Sequence, residues 1–65
     1  MILGARIRVL RERAGKSQMD MVRRHDWSIG HLGKIERGEV DVRASTLKRL
    51  ADDLGVPVAA FFKGL

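Results

Sequence analysis

The chain has no cysteine and no tyrosine, one proline (Pro57) and one tryptophan (Trp27), and aromatic residues make up 5% of its 65 positions. Without cysteine there is neither a disulfide nor a thiolate-bound metal. A single domain spanning 1–65 is therefore expected, near the lower size limit for folding without a staple, and its core must come from close helix packing or from an oligomer. The missing cysteine also fits a reducing, cytoplasmic setting. No apolar run approaches the roughly 20 residues of a membrane span. Met1-Ile2-Leu3-Gly4, soon interrupted by Arg6, is too short for a secretory signal. No stretch alternates with strand period, so no sheet is expected. Repeats and low-complexity tracts are absent as well.

A catalytic constellation is also missing. No phosphate-binding glycine loop is present, because Gly30 and Gly33 fall inside a helical pattern with no lysine–serine ending after them. His25 and His31 lack the i, i+4 spacing of a helical metal pair, and both read as surface or groove-edge residues. Ser28 has no base to activate it. Neither enzyme activity, nor a metal, nor a cofactor is expected.

Acids are the scarcer charge, 8 against 13 lysines and arginines, for a net charge of +5. The excess is local. Arg6, Arg8, Arg11, Arg13, Lys16, Arg23 and Arg24 meet only Glu12 and Asp20 in residues 1–24, whereas residues 25–65 balance to zero. A concentrated positive field of this kind attracts a polyanion. Leu3, Ile7, Leu10 and Ala14 make one apolar stripe on a first helix, with Gly15 as its stop. Ser17 reads as an N-cap before a second helix over 17–24, with Met21 and Val22 inward and Met19 at the core or its edge. Ser28 caps a third helix, 29–36, with Leu32 and Ile35 inward and Gly38 ending it. Ser28, Ile29, Gly30, His31, Gly33 and Lys34 are left outward, with Gly33 also offering room for a close crossing opposite Val22. Thr46–Leu54 carries the stripe Leu47, Leu50, Ala51 and Leu54, and Pro57 opens a last short helix. Val58, Phe61, Phe62 and Leu65 form an apolar cluster after it.

Ser17-Gln18, the capped turn before Ser28, Leu32 and Lys34-Ile35-Glu36-Arg37-Gly38 together resemble the Cro/repressor-type (XRE-type) helix-turn-helix proteins. The likeness extends to Leu3–Arg13, to Ser45-Thr46-Leu47 through Leu54-Gly55-Val56-Pro57, and to Val58–Phe62, so it covers nearly the whole chain. It implies an all-α, compact five-helix, lambda-repressor-like domain with its helix-turn-helix at residues 18–36. It implies a transcription regulator, most often a repressor, reading double-stranded DNA in the major groove. The residues placed at base edges are Ser28, Ile29, Gly30, His31 and Lys34. Gln18, Arg24, Arg37, Arg43 and Lys16 would flank the groove at phosphates. Arg11 and Glu36 would form a structural ion pair between the first and third helices. One recognition helix spans few base pairs, so a homodimer on a palindromic operator is expected, with Val58, Phe61, Phe62 and Leu65 as its candidate surface and with one of Phe61 and Phe62 expected to close the core instead.

The turn departs from the family pattern. Asp26 stands where glycine is usual and where a positive φ is required, and Trp27 replaces a mid-sized aliphatic residue as a partly buried plug. A second reading stays open. With Asp20, Asp26, Glu39 and Asp41 close to the face in question, the domain would be a protein-interaction module of the same fold, such as an antitoxin or a complex subunit.

Overall fold

The computed structural model describes residues 3–25 and 27–63. Asp26, with its expected positive φ, and Leu65, from the candidate dimer surface, lie outside the described residues. Within them, four α-helices are followed by a 3₁₀ segment: α1 (Leu3–Arg13), α2 (Gln18–Val22), α3 (Ile29–Glu36), α4 (Ala44–Leu54) and Val58–Phe62. No described helix is long and apolar enough to cross a membrane.

The expected fifth helix is thus a 3₁₀ turn. Pro57 is its cap residue and brings no N–H, and the segment does not close the wider i to i+4 bonds of an α-helix. Instead Ala60 N donates to Pro57 O at 2.9 Å, an i to i+3 bond. α4 begins at Ala44, two residues earlier than its stripe suggested. Arg43 is the cap residue, its carbonyl taking the first bond from Leu47 N at 3.0 Å, and its side chain makes no cap bond.

The core contains Ile7, Met21, Val22, Leu32, Ile35, Leu47, Leu50, Ala51 and Phe61, with Leu3, Leu10, Trp27, Val42, Leu54, Val56 and Val58 packed against it. Every element contributes, so no helix can bury its apolar side alone. α1 lies on α3 and on the 3₁₀ segment, and α2 lies on α3.

Two apolar residues leave the positions their spacing suggested. Ala14 is exposed, since α1 ends at Arg13 and the stripe no longer meets the core beyond it. The buried positions of α1 are Gly4, Ile7 and Arg11. Met19 is 45% exposed. It precedes the buried Met21 by two residues, which on a helix is about 200° of rotation and thus the opposite side.

α1 approaches the end of α3 closely at Gly4. A methyl group there would overlap the Ile35 carbonyl oxygen and stand 2.8 Å from that of Glu36. α3 itself ends in a Schellman motif. Gly38, at φ 74°, donates to Ile35 O at 3.0 Å, and Glu39 N donates to Lys34 O at 2.9 Å.

Candidate nucleic-acid interface

α3 starts at Ser28, whose extended backbone (φ −90°, ψ 157°) lets its hydroxyl accept from His31 N at 3.0 Å. Its apolar side is anchored by Leu32 and Ile35, which are 0% and 2% exposed. Ser28, Ile29, Gly30, His31 and Lys34 are all exposed. The helix is therefore two-sided, with a side that belongs to the core and a side that meets solvent.

Gly33 is not on the solvent side. It is buried, and a methyl group there would come within 2.9 Å of Arg37 Nη1. The space it leaves is filled by the guanidinium of Arg37, a residue one turn later in the chain, and not by Val22. Arg37 also pairs with Glu39. This bond raises the arginine's affinity for its proton and holds the Glu39 carboxyl below the usual carboxylate range.

Arg11 and Glu36 are 8% and 6% exposed and make a two-pronged pair: Arg11 Nε donates to Glu36 Oε2 at 2.7 Å, and Nη2 to Oε1 at 3.2 Å. The third arm of the fork, Nη1, donates to the Lys16 carbonyl at 2.8 Å. Gln18 Nε2 adds a bond to Glu36 Oε1 at 3.1 Å. No buried side-chain nitrogen or oxygen among the described residues lacks a partner. A buried ion pair is tolerated on such terms, with both charges fully hydrogen-bonded. The network ties α1, the α1–α2 link, the start of α2 and the end of α3 together. It also places one amide proton of Gln18 on the protein itself.

The candidate phosphate-facing residues fall into separate groups. Gln18 and Arg37 border a depression of about 410 Å³ together with Arg8, Arg11, Gly33 and Glu36. On the other flank of α3, His31 and Arg43 border a depression of about 300 Å³ with Asp41 and Thr46. Lys34 and Arg43 are exposed. Arg24 lines neither. It stands beside Arg23, His25 and Arg49, with its guanidinium 3.9 Å from the Asp53 carboxylate. Lys16 is half-buried and contributes its carbonyl rather than its amine to the Arg11 network. Arg8 was not singled out from the sequence. Its position three residues before Arg11 puts it on the same face of α1, and this spacing is the signal that would have found it.

His25 is not an open-surface residue. Its Nε2 lies 2.6 Å from Asp53 Oδ2, and both side chains are only 11% exposed. The pair joins the turn after α2 to α4 across 28 residues of chain, a separation at which no local pattern signals contact. Trp27 covers the His25 ring, with centroids 4.2 Å apart and planes 25° from parallel, and presents an edge-type contact to His31 at 6.4 Å and 61°.

No curated protein and no solved structure matches the chain. A family model described as a helix-turn-helix domain matches residues 2–61, and the chain accordingly belongs to the helix-turn-helix domain family.

Proposed function

We propose that the protein is a sequence-specific, double-stranded-DNA-binding transcription regulator of the Cro/repressor type. It acts as a repressor and has no catalytic role. The observation that carries this reading is the two-sidedness of α3. Leu32 and Ile35 hold it to the core, while Ile29, Gly30, His31 and Lys34 form a solvent side of modest bulk. A helix of this kind enters the major groove, which is roughly 12 Å wide. There Lys34 donates to guanine O6 or N7, His31 donates or accepts at a base edge, Ile29 meets a thymine methyl, and Gly30 lets the backbone approach. Arg43 on one flank, and Gln18, Arg37 and Arg8 on the other, reach phosphates and fix the register without reading sequence. A homodimer sets two such helices on a palindrome with half-sites about one helical turn apart.

The interaction-module reading is favoured by two observations: Glu39 neutralises Arg37, and Asp41 shares a depression with Arg43. A titration with duplex DNA at several salt concentrations, with random sequence as competitor, separates the two. A DNA reader loses affinity with a log–log slope of about −0.9 per phosphate contacted. Absent or salt-insensitive binding refutes the DNA reading and favours the module. With an operator selected from random DNA, Lys34→Ala lowers preference among sequences by about 1–3 kcal/mol, and Arg43→Ala weakens all sequences alike. Equal loss of preference from both variants contradicts the assignment.

A further inference from the structure

Four side chains from three parts of the fold lie in a row. The Asp53 carboxylate on α4 lies 2.6 Å from Nε2 of His25 in the turn after α2, His25 stacks on Trp27 in the same turn (4.2 Å between centroids), and Trp27 meets the ring of His31 on α3 (6.4 Å). Only His31 is among the exposed outward residues of α3. Asp53 and His25 are nearly covered and Trp27 is half-buried against the core. The Arg11 network and the flanking phosphate ligands make no use of this row. It is also a costly arrangement if its only purpose is to fill space, since an aliphatic residue at position 27 would fill the core edge without two aromatic partners.

We infer that Asp53, His25 and Trp27 are positioning residues that fix the ring of His31 for base recognition. An exposed histidine on a helix moves freely between rotamers, and a hydrogen bond to a base edge requires one ring orientation out of several. Trp27 removes part of that freedom by placing its indole against one side of the imidazole. Trp27 itself cannot swing away, because its face is stacked on His25. His25 in turn is held by the Asp53 carboxylate, and Arg24 stands at that carboxylate's other oxygen, 3.9 Å away. Recognition at one base pair thus depends on a carboxylate whose hydrogen-bond and ion-pair partners, His25 and Arg24, lie outside α3. The functional half of this inference rests on the DNA-reading proposal above, whereas the mechanical half, the hold on His31, is independent of it.

Two measurements test the halves separately. In the free protein, the ring-proton resonances of His31 are followed by NMR in the wild type, in Asp53→Ala, which removes the anchor, and in His25→Phe, which keeps a stacking ring but loses the tether. Circular dichroism checks that each variant is folded, and the second variant serves if the first is not. Both substitutions are expected to move the His31 resonances although neither residue touches His31. Resonances that stay at their wild-type positions in a folded variant overturn the inference. On DNA, the affinity ratio between a selected operator and random sequence is expected to fall roughly fivefold, a partial loss of one base contact, while affinity for random sequence does not fall. In a His31→Ala background neither variant lowers the ratio further. A fall of equal size in both backgrounds, or no fall in either, overturns the specificity role. A wild-type protein that prefers no duplex refutes the DNA reading itself, and the NMR result still decides the hold on His31.

Discussion

At the scale of single residues, the two glycines of α3 serve opposite purposes. Gly33 is filled space, covered by its own Arg37. Gly30 is open, and a methyl group there would meet nothing nearer than Ser28 Oγ at 3.7 Å. Glycine within a helix lowers stability by about 1 kcal/mol relative to alanine. Gly30→Ala is therefore expected to raise the stability of the free protein by up to about 1 kcal/mol. If α3 seats in the groove through this position, the same variant binds DNA more weakly. A thermal melt and a binding titration on one preparation read both effects, and a variant that is more stable and binds as tightly as wild type would show that the backbone at 30 does not approach the ligand. From the sequence both glycines read as outward, because a count of residues around a helix gives the side a position occupies but not which neighbour folds back over it. The outward placement of Ile29, His31 and Lys34 was legible, since Leu32 and Ile35 fix the rotation of the whole helix.

At the scale of elements, the fold depends on how each helix begins and where it crosses its neighbours. α2 is too short to persist by propensity, and a capping box starts it: Asp20 N donates to Ser17 Oγ at 3.0 Å, and Ser17 N donates to Asp20 Oδ2 at 2.9 Å. The bond from the Ser17 backbone, chiefly, holds the Asp20 carboxyl below the usual aspartate range. A depressed folded value means that the contribution to stability is complete above the unfolded pKa, about 3.9, and is lost as the pH falls through the folded value. Asp20→Asn is expected to flatten this acid limb of the stability profile without changing it near neutrality in slope. Unchanged curvature below pH 4 would assign the acid sensitivity elsewhere. The crossing of α1 over α3 is set by Gly4, and Gly4→Ala is expected to destabilise the domain by about 1–3 kcal/mol or more, since backbone must shift to admit the methyl. A denaturant midpoint measures it. The helices themselves were visible in the sequence as apolar spacing, and Ser17, Ser28 and Gly38 marked boundaries by their chemistry. Gly4 and the His25–Asp53 pair were not, because each is decided by a partner remote in the chain, and the start of α4 at Ala44 was not, because its cap residue, Arg43, makes no side-chain cap bond.

At the scale of the whole molecule, the two adjacent phenylalanines near the C-terminal end have separate duties. Phe61 is 0% exposed and Phe62 is 48% exposed. With Val58, Phe62 is the described part of the surface proposed for a second copy. Phe62→Lys is expected to leave the domain folded, with a melting temperature that no longer depends on protein concentration, to give a monomer in sedimentation, and to remove cooperative binding to a two-half-site operator while a single half-site is still bound. A Phe62→Lys protein that remains a dimer moves the interface elsewhere. Phe61→Ala, by contrast, would remove about 3–5 kcal/mol, a large fraction of what so small a domain has to spare.

The buried position of Phe61 also has a consequence for biosynthesis. Its segment lies on α1, which leaves the ribosome before the rest of the domain, and Phe61 shares one core with Ile7, Leu47 and Leu50. The nascent polypeptide therefore cannot seal its interior while the last aromatic plug is still inside the exit tunnel. The earlier helices keep their apolar sides unsealed until then, and the native packing of the core forms only after residue 61 has emerged.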